Sequence, residues 1–90
     1  MVASTLDNLI TRNPEIHNNQ PLIGGTGVAV RTVIGHYKLG LTAEEIADEM
    51  DLKLAGVYAA LAYYHLNRDE IESDIIANLE ATVIAEVGRG

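Results

Sequence analysis

The sequence predicts a mainly α protein: a helix-turn-helix core, a small N-terminal β element ahead of it and an extra C-terminal helix behind it. Three observations carry this prediction. Thr42 with Glu45 three residues on is a capping-box pattern, ahead of Ile46, Ala47 and Met50 on one helical face. Past Asp51-Leu52, a longer helix sets Leu54, Val57, Leu61 and Tyr64 at spacings of three and four. Upstream, short β-branched runs alternate with Pro14, Pro21 and the Gly24-Gly25-Thr26-Gly27 cluster, which suits short strands and turns rather than helix.

The elements follow in order. Residues 1–8 read as a loosely held start. Leu9-Ile10-Thr11 and the stretch from Gln20 to Val30 suit two short strands, joined by an irregular loop with turn signals at Asn13-Pro14 and Asn18-Asn19. From Arg31 to Leu39 the pattern turns helical through Val33, Ile34 and Tyr37, and Gly40 ends that helix as a left-handed cap residue does. The two helices of the motif come next, with Ala47 small at their crossing and Val57 branched where such a motif needs a core residue. Asn67, with Glu70 three residues on, reads as another helix start or a kink. Beyond it, Ile71, Ile75, Leu79 and Val83 continue an apolar stripe with Ile76 and Val87 beside it. The expectation is one domain over residues 1–90: a β element at 9–30, the helix-turn-helix core at 31–66 and the C-terminal helix at 68–87.

Charge sets the first functional limit. The chain carries 13 acidic residues against 6 Lys plus Arg, a net charge of −7. Affinity for duplex DNA comes largely from cations that displace condensed counterions, so any DNA binding here is expected to be weak and strongly salt-dependent. Arg31, Lys38 and Lys53 lie nearest the motif's helix ends and are the candidate DNA contacts. Taking about 100° per residue, Leu54, Val57, Tyr58, Leu61 and Tyr64 are placed inward and Gly56, Ala59, Ala60, Tyr63 and Asn67 outward. A base-reading helix normally shows Arg, Asn, Gln or Lys on its outward side, and this one shows small apolar residues. Small residues at that spacing let another backbone approach. Gly56, Ala59 and Tyr63 are therefore candidate partner or dimer contacts, as are Ile71, Ile75 and Leu79 on the last helix. Between Arg68 and Arg89 that helix has six acids and no base, and its apolar stripe is expected either to pack on its own domain or to be covered by a second copy or by a partner's basic, apolar-floored groove.

Other chemistries are set aside. There is no cysteine, which excludes disulfides and thiolate metal sites. His17, His36 and His65 are too irregularly spaced for a local metal box, and no cofactor is expected. The glycine cluster lacks the Lys-Ser/Thr that ends a P-loop and is read as a structural turn. Glu44-Glu45 and Asp48-Glu49 are read as a solvated face, and no nucleophile with a base and an orienting acid is legible. The chain is expected not to be an enzyme. No signal peptide is visible, and the apolar run from Val57 to Leu66 is too short to cross a bilayer, so a cytoplasmic, membrane-free protein is expected.

The runs ITRNPEI, QPLIGGTGVAV and LGLTAEEIADEMDLKLAGVYAALAYYHLNRDEIESDI resemble the bacterial family called domain of unknown function 433. The shared residues include Ile10, Pro14, Pro21, Ile23, Gly25, Thr26, Gly40, Thr42, Glu45, Val57, Ala60, Tyr63 and Tyr64. The resemblance implies a homeodomain-like three-helix core, and an antitoxin-like partner of a PIN-type toxin nuclease whose helix-turn-helix binds its own promoter. Two departures stand out: Gly27 replaces the family's Arg after Gly-Thr, and Asn18-Asn19-Gln20 replaces glycines before the family's Pro.

Two readings follow. One is a dimeric, antitoxin-like regulator with a helix-turn-helix that binds DNA. The other is a protein-interaction or dimerisation module that does not. The resemblance favours the first and places it slightly ahead; the composition and outward face of residues 54–67 favour the second. A homodimer is expected on either.

Overall fold

The computed structural model describes residues 8–88, with side-chain burial to Leu79. Of the expected loose start at residues 1–8, residues 1–7 lie outside the described residues, as do the side chains of Val83 and Val87. Ile10–Thr11 (β1) and Leu22–Ile23 (β2) pair antiparallel, Ile10 opposite Ile23 and Thr11 opposite Leu22. Between them the chain makes a left-handed turn: His17, Asn18 and Asn19 have φ of 48°, 54° and 63°. Asn and His are among the non-glycine residues that enter this region most readily. Asn18-Asn19 thus makes a turn for which glycine is the usual choice. After β2, the Thr26 hydroxyl closes the glycine turn, donating to the Ile23 carbonyl at 2.8 Å and accepting from the Val28 amide at 3.0 Å.

Four helices are described: Val30–Lys38 (α1), Ala43–Met50 (α2), Leu54–Leu66 (α3) and Arg68–Gly88 (α4). Past α1, Gly40 takes φ 99°, a conformation that costs glycine no Cβ clash. The capping box before α2 is complete: the Glu45 amide donates to Thr42 Oγ1 at 3.1 Å, and the Thr42 amide to Glu45 Oε1 at 2.9 Å. Asp51, left-handed at φ 54°, and the Leu52 amide donating to the Ala47 carbonyl at 2.8 Å turn the chain sharply into α3. Asn67 separates α3 from α4 with φ −139° and ψ 49°, so it is the expected break. It serves both helices, its side-chain amide donating to the Tyr63 carbonyl at 3.1 Å and its own carbonyl accepting from the Ile71 amide at 3.2 Å.

The core joins all these elements: Ile23 from β2, Val30, Val33 and Ile34 from α1, Ala43 and Ile46 from α2, Val57, Ala60 and Tyr64 from α3, and Ile71 from α4. Four placements expected on α3 are corrected. Gly56 and Ala60 are buried rather than outward, while Leu54 and Tyr58 are exposed rather than inward. The cause is that α3 is covered on two sides, by α1 and α2 and also by the β element. A Cβ built on Gly56 would lie 2.8 Å from Ile23 Cγ2, so this glycine lets the sheet onto the helix within one chain. Ile71, a candidate partner contact on one reading and part of its own domain's packing on the other, is fully buried in the chain's own core, because α4 folds back across α1 and α3.

Candidate functional site

The two-sided burial of α3 leaves its third side open. There, Ala55, Tyr58, Ala59, Ala62, Tyr63 and Leu66, with Leu9 and Ile10 at the edge of the β element, line a groove of about 450 Å³. No lining residue carries a formal charge at neutral pH. The alanines make the floor, since at spacings of four and three they stack along one line of the helix. Large side chains rise around them: Tyr58 is 50 % exposed and Leu66 83 % exposed. Ala59 and Tyr63, expected as partner contacts, lie in this groove, half-buried. Gly56 does not.

At the groove's inner edge, the Tyr63 hydroxyl joins a polar clasp that holds α4. Tyr63 accepts from Arg12 Nη2 at 2.7 Å and donates to Glu70 Oε1 at 2.6 Å, and Arg12 Nη2 also meets Glu70 Oε2 at 2.5 Å. Burial pushes the Glu70 carboxyl up, but the hydrogen bonds from Tyr63 and Arg12 outweigh it and hold the group below its ordinary range. A second clasp lies on the other flank of Ile71. Lys38 Nζ donates to both oxygens of Glu72 at 2.6 Å, and the Tyr64 hydroxyl to Glu72 Oε2 at 2.5 Å. Those bonds, Lys38 first, keep Glu72 below the usual carboxylate range. One turn further, Asp74 has a buried Oδ2 with no hydrogen-bond partner among the described residues, and burial pushes its pKa up. Ile75 packs beside the core, while Ile76 and Leu79 stand 54 % and 57 % exposed.

The three candidate DNA contacts are not brought together. Arg31 Nε donates to Gln20 Oε1 at 2.8 Å, and its Nη2 lies 3.3 Å from His17 Nδ1, so it braces the left-handed turn. Lys38 is held by Glu72, and its charge is offset there. Lys53 is exposed at the start of α3. The sequence does not single out Arg12 or Glu72, and marks Glu70 only as part of a helix start after Asn67. Nothing in the local pattern signals a pairing across 58 residues, as between Arg12 and Glu70. Among the described residues no group of three or more His, Cys, Asp or Glu side chains could hold a metal ion. No helix among them is long and apolar enough to cross a membrane.

A family model described as "Protein of unknown function (DUF433)" matches residues 10–64, from β1 nearly to the end of α3. The chain belongs to the DUF433 family. A solved DUF433 member from Anabaena variabilis is similar in structure, with a TM-score of 0.71 and 26 % identity, over 79 % of this chain and 71 % of that one. No curated protein matches the chain. The matched stretch contains the whole groove except Leu9 and Leu66, whereas α4, with the clasp carboxylates Glu70 and Glu72, lies outside it.

Proposed function

We propose that this DUF433 chain is a non-enzymatic protein-interaction module that works through the open side of α3 rather than a reader of DNA. One observation carries the reading: the helix face that a helix-turn-helix would present to the major groove is an uncharged apolar groove. Base edges and phosphates call for donors and cations, whereas an apolar floor rimmed by tyrosine and leucine gains by excluding water against another protein. The charge balance supports the same reading. At a net −7 the chain repels a polyanion at long range, and Arg12 and Lys38 are already paired with carboxylates. The antitoxin-like role that the family resemblance implies, toward a PIN-type nuclease, also needs a surface for a protein, and this reading keeps such a role while assigning the α3 face to protein contact.

The test is titration of labelled duplex from the protein's own upstream region, followed by fluorescence anisotropy at low and at physiological salt. Only weak, sequence-independent binding that salt abolishes is expected. Sequence-specific binding that survives physiological salt and is lost in Lys53→Glu would overturn the proposal.

A further inference from the structure

We infer that a small polar pocket between the left-handed turn, the start of α1 and α4 binds a small oxyanion, a carboxylate or a phosphate group, on Arg31. His17, Asn18, Gln20, Arg31, Ala77 and Asn78 line it, and it shares no residue with the α3 groove. At about 140 Å³ it holds the volume of roughly five water molecules, enough for such a group and little more. Arg31 supplies the charge. It is half-buried, and among the described residues no carboxylate lies within ion-pair distance of it, unlike Arg12 and Lys38. Its Nε donates to Gln20 Oε1 at 2.8 Å and its Nη2 lies 3.3 Å from His17 Nδ1. Those two bonds occupy one side of the guanidinium and fix its plane. The other edge, Nη1 with the second Nη2 hydrogen, is the fork that takes a carboxylate or phosphate through two parallel bonds.

The other lining groups add donors and no carboxylate. Gln20, its oxygen turned to Arg31, keeps its side-chain N–H groups for another acceptor, and Asn18 brings a second amide. Helix α1 starts at the same place with no side-chain cap and no acid in its first turn, so the partial positive charge of its N-terminus is not offset there. The turn itself fits a binding role. Glycine makes a left-handed turn at least cost, yet this chain uses His17, Asn18 and Asn19, and two of those three line the pocket. The surrounding charges are mixed. Arg12, whose Nη1 donates to the Asn19 carbonyl at 2.9 Å, is neutralised by Glu70. Glu15 is exposed and does not line the pocket. Asp74 on α4 is the opposing charge, close enough to feel Arg31 but neither bonded to it nor part of the lining. With Asp74 there and −7 on the whole chain, binding falls in the millimolar range.

The test is nitrogen–proton NMR on the full chain. Sodium phosphate and sodium acetate are titrated separately, with sodium chloride at matched ionic strength as the control. Saturable shifts are expected at the Arg31 Nε–H and at the Asn18 and Gln20 side-chain amides, and chloride should not reproduce them. Saturation by phosphate alone, or by acetate alone, identifies the group the pocket takes. Arg31→Gln should weaken binding roughly tenfold or more. Because that change also removes a brace of the turn, Asn18→Gly is the decisive variant. Glycine suits φ 54° and should leave the fold intact by circular dichroism, yet it deletes an amide donor and should weaken binding roughly threefold. Asp74→Asn removes the opposing charge and should tighten binding several-fold. Absence of saturation with either anion overturns the proposal. So do shifts that chloride matches, or an affinity indifferent to both Arg31→Gln and Asn18→Gly.

Discussion

Gly56→Ala should destabilise this protein although it replaces the poorest ordinary helix former with the best. In an exposed helix the exchange gains about 1 kcal/mol. Here the new methyl would lie 2.8 Å from Ile23 Cγ2, well inside the roughly 3.5–4.0 Å optimum for two carbons. Ile23 has little room to yield. It is 3 % exposed, its Cγ2 hangs on a stiff branched Cβ, and its amide is held to the Val28 carbonyl at 2.8 Å. Over-packing a well-filled site costs about 1–3 kcal/mol, so the balance is a net loss of roughly 1 kcal/mol. For a domain of this size that lowers the melting temperature by about 4–8 °C. Thermal melts followed by circular dichroism at matched protein concentration read it directly. The control is Ile23→Ala, which removes Cγ2; in that background Gly56→Ala should become stabilising by up to about 1 kcal/mol. If Gly56→Ala raises the melting temperature equally in both backgrounds, the close approach of sheet and helix is wrong.

The α4 clasp yields three more outcomes. Asp74→Asn should stabilise the fold at neutral pH, since burial raises the folded pKa of this acid and its ionised form is penalised only in the folded state. That advantage should fade as pH falls from the raised folded value and be gone below the ordinary Asp range, and urea titrations at several pH values will show whether it is. Glu70 and Glu72 run the other way. Their folded pKa values are depressed, so their contribution is present above the ordinary Glu range and is lost as pH falls through the lowered values. A chain with Glu70→Gln and Glu72→Gln should therefore show a flatter acid-unfolding limb than the parent; an unchanged limb would mean that the clasps contribute nothing. Truncation after Asn67 removes Ile71 from the core and should cost about 2–5 kcal/mol from that side chain alone, whereas truncation after Leu79 keeps every core residue described here. A shortened chain ending at Asn67 that melts like the parent would show that α4 is dispensable to the fold.

Much of the fold was legible because it rests on local rules. The Thr42–Glu45 capping box, Gly40 as the stop of α1 and the break at Asn67 each satisfy backbone groups within a few residues. Sequence spacing therefore determined them without reference to the rest of the chain. What sequence spacing did not carry was the orientation of α3. LAGVYAALAYYHL is apolar on every side, so a periodicity argument has no polar face to turn outward, and the choice fell to whichever neighbours packed against it. Only the tertiary structure set α1 and α2 on one side and the β element on another. That arrangement turned Gly56 inward and left Ala55, Tyr58, Ala59, Ala62 and Leu66 to form the groove. The same holds for charge. Composition determined an acidic chain with few cations, but the pairings of Arg12 with Glu70 and Lys38 with Glu72 join residues far apart in sequence. They exist only because Ile71, burying its side chain in the common core, draws the flanking carboxylates onto β1 and α1.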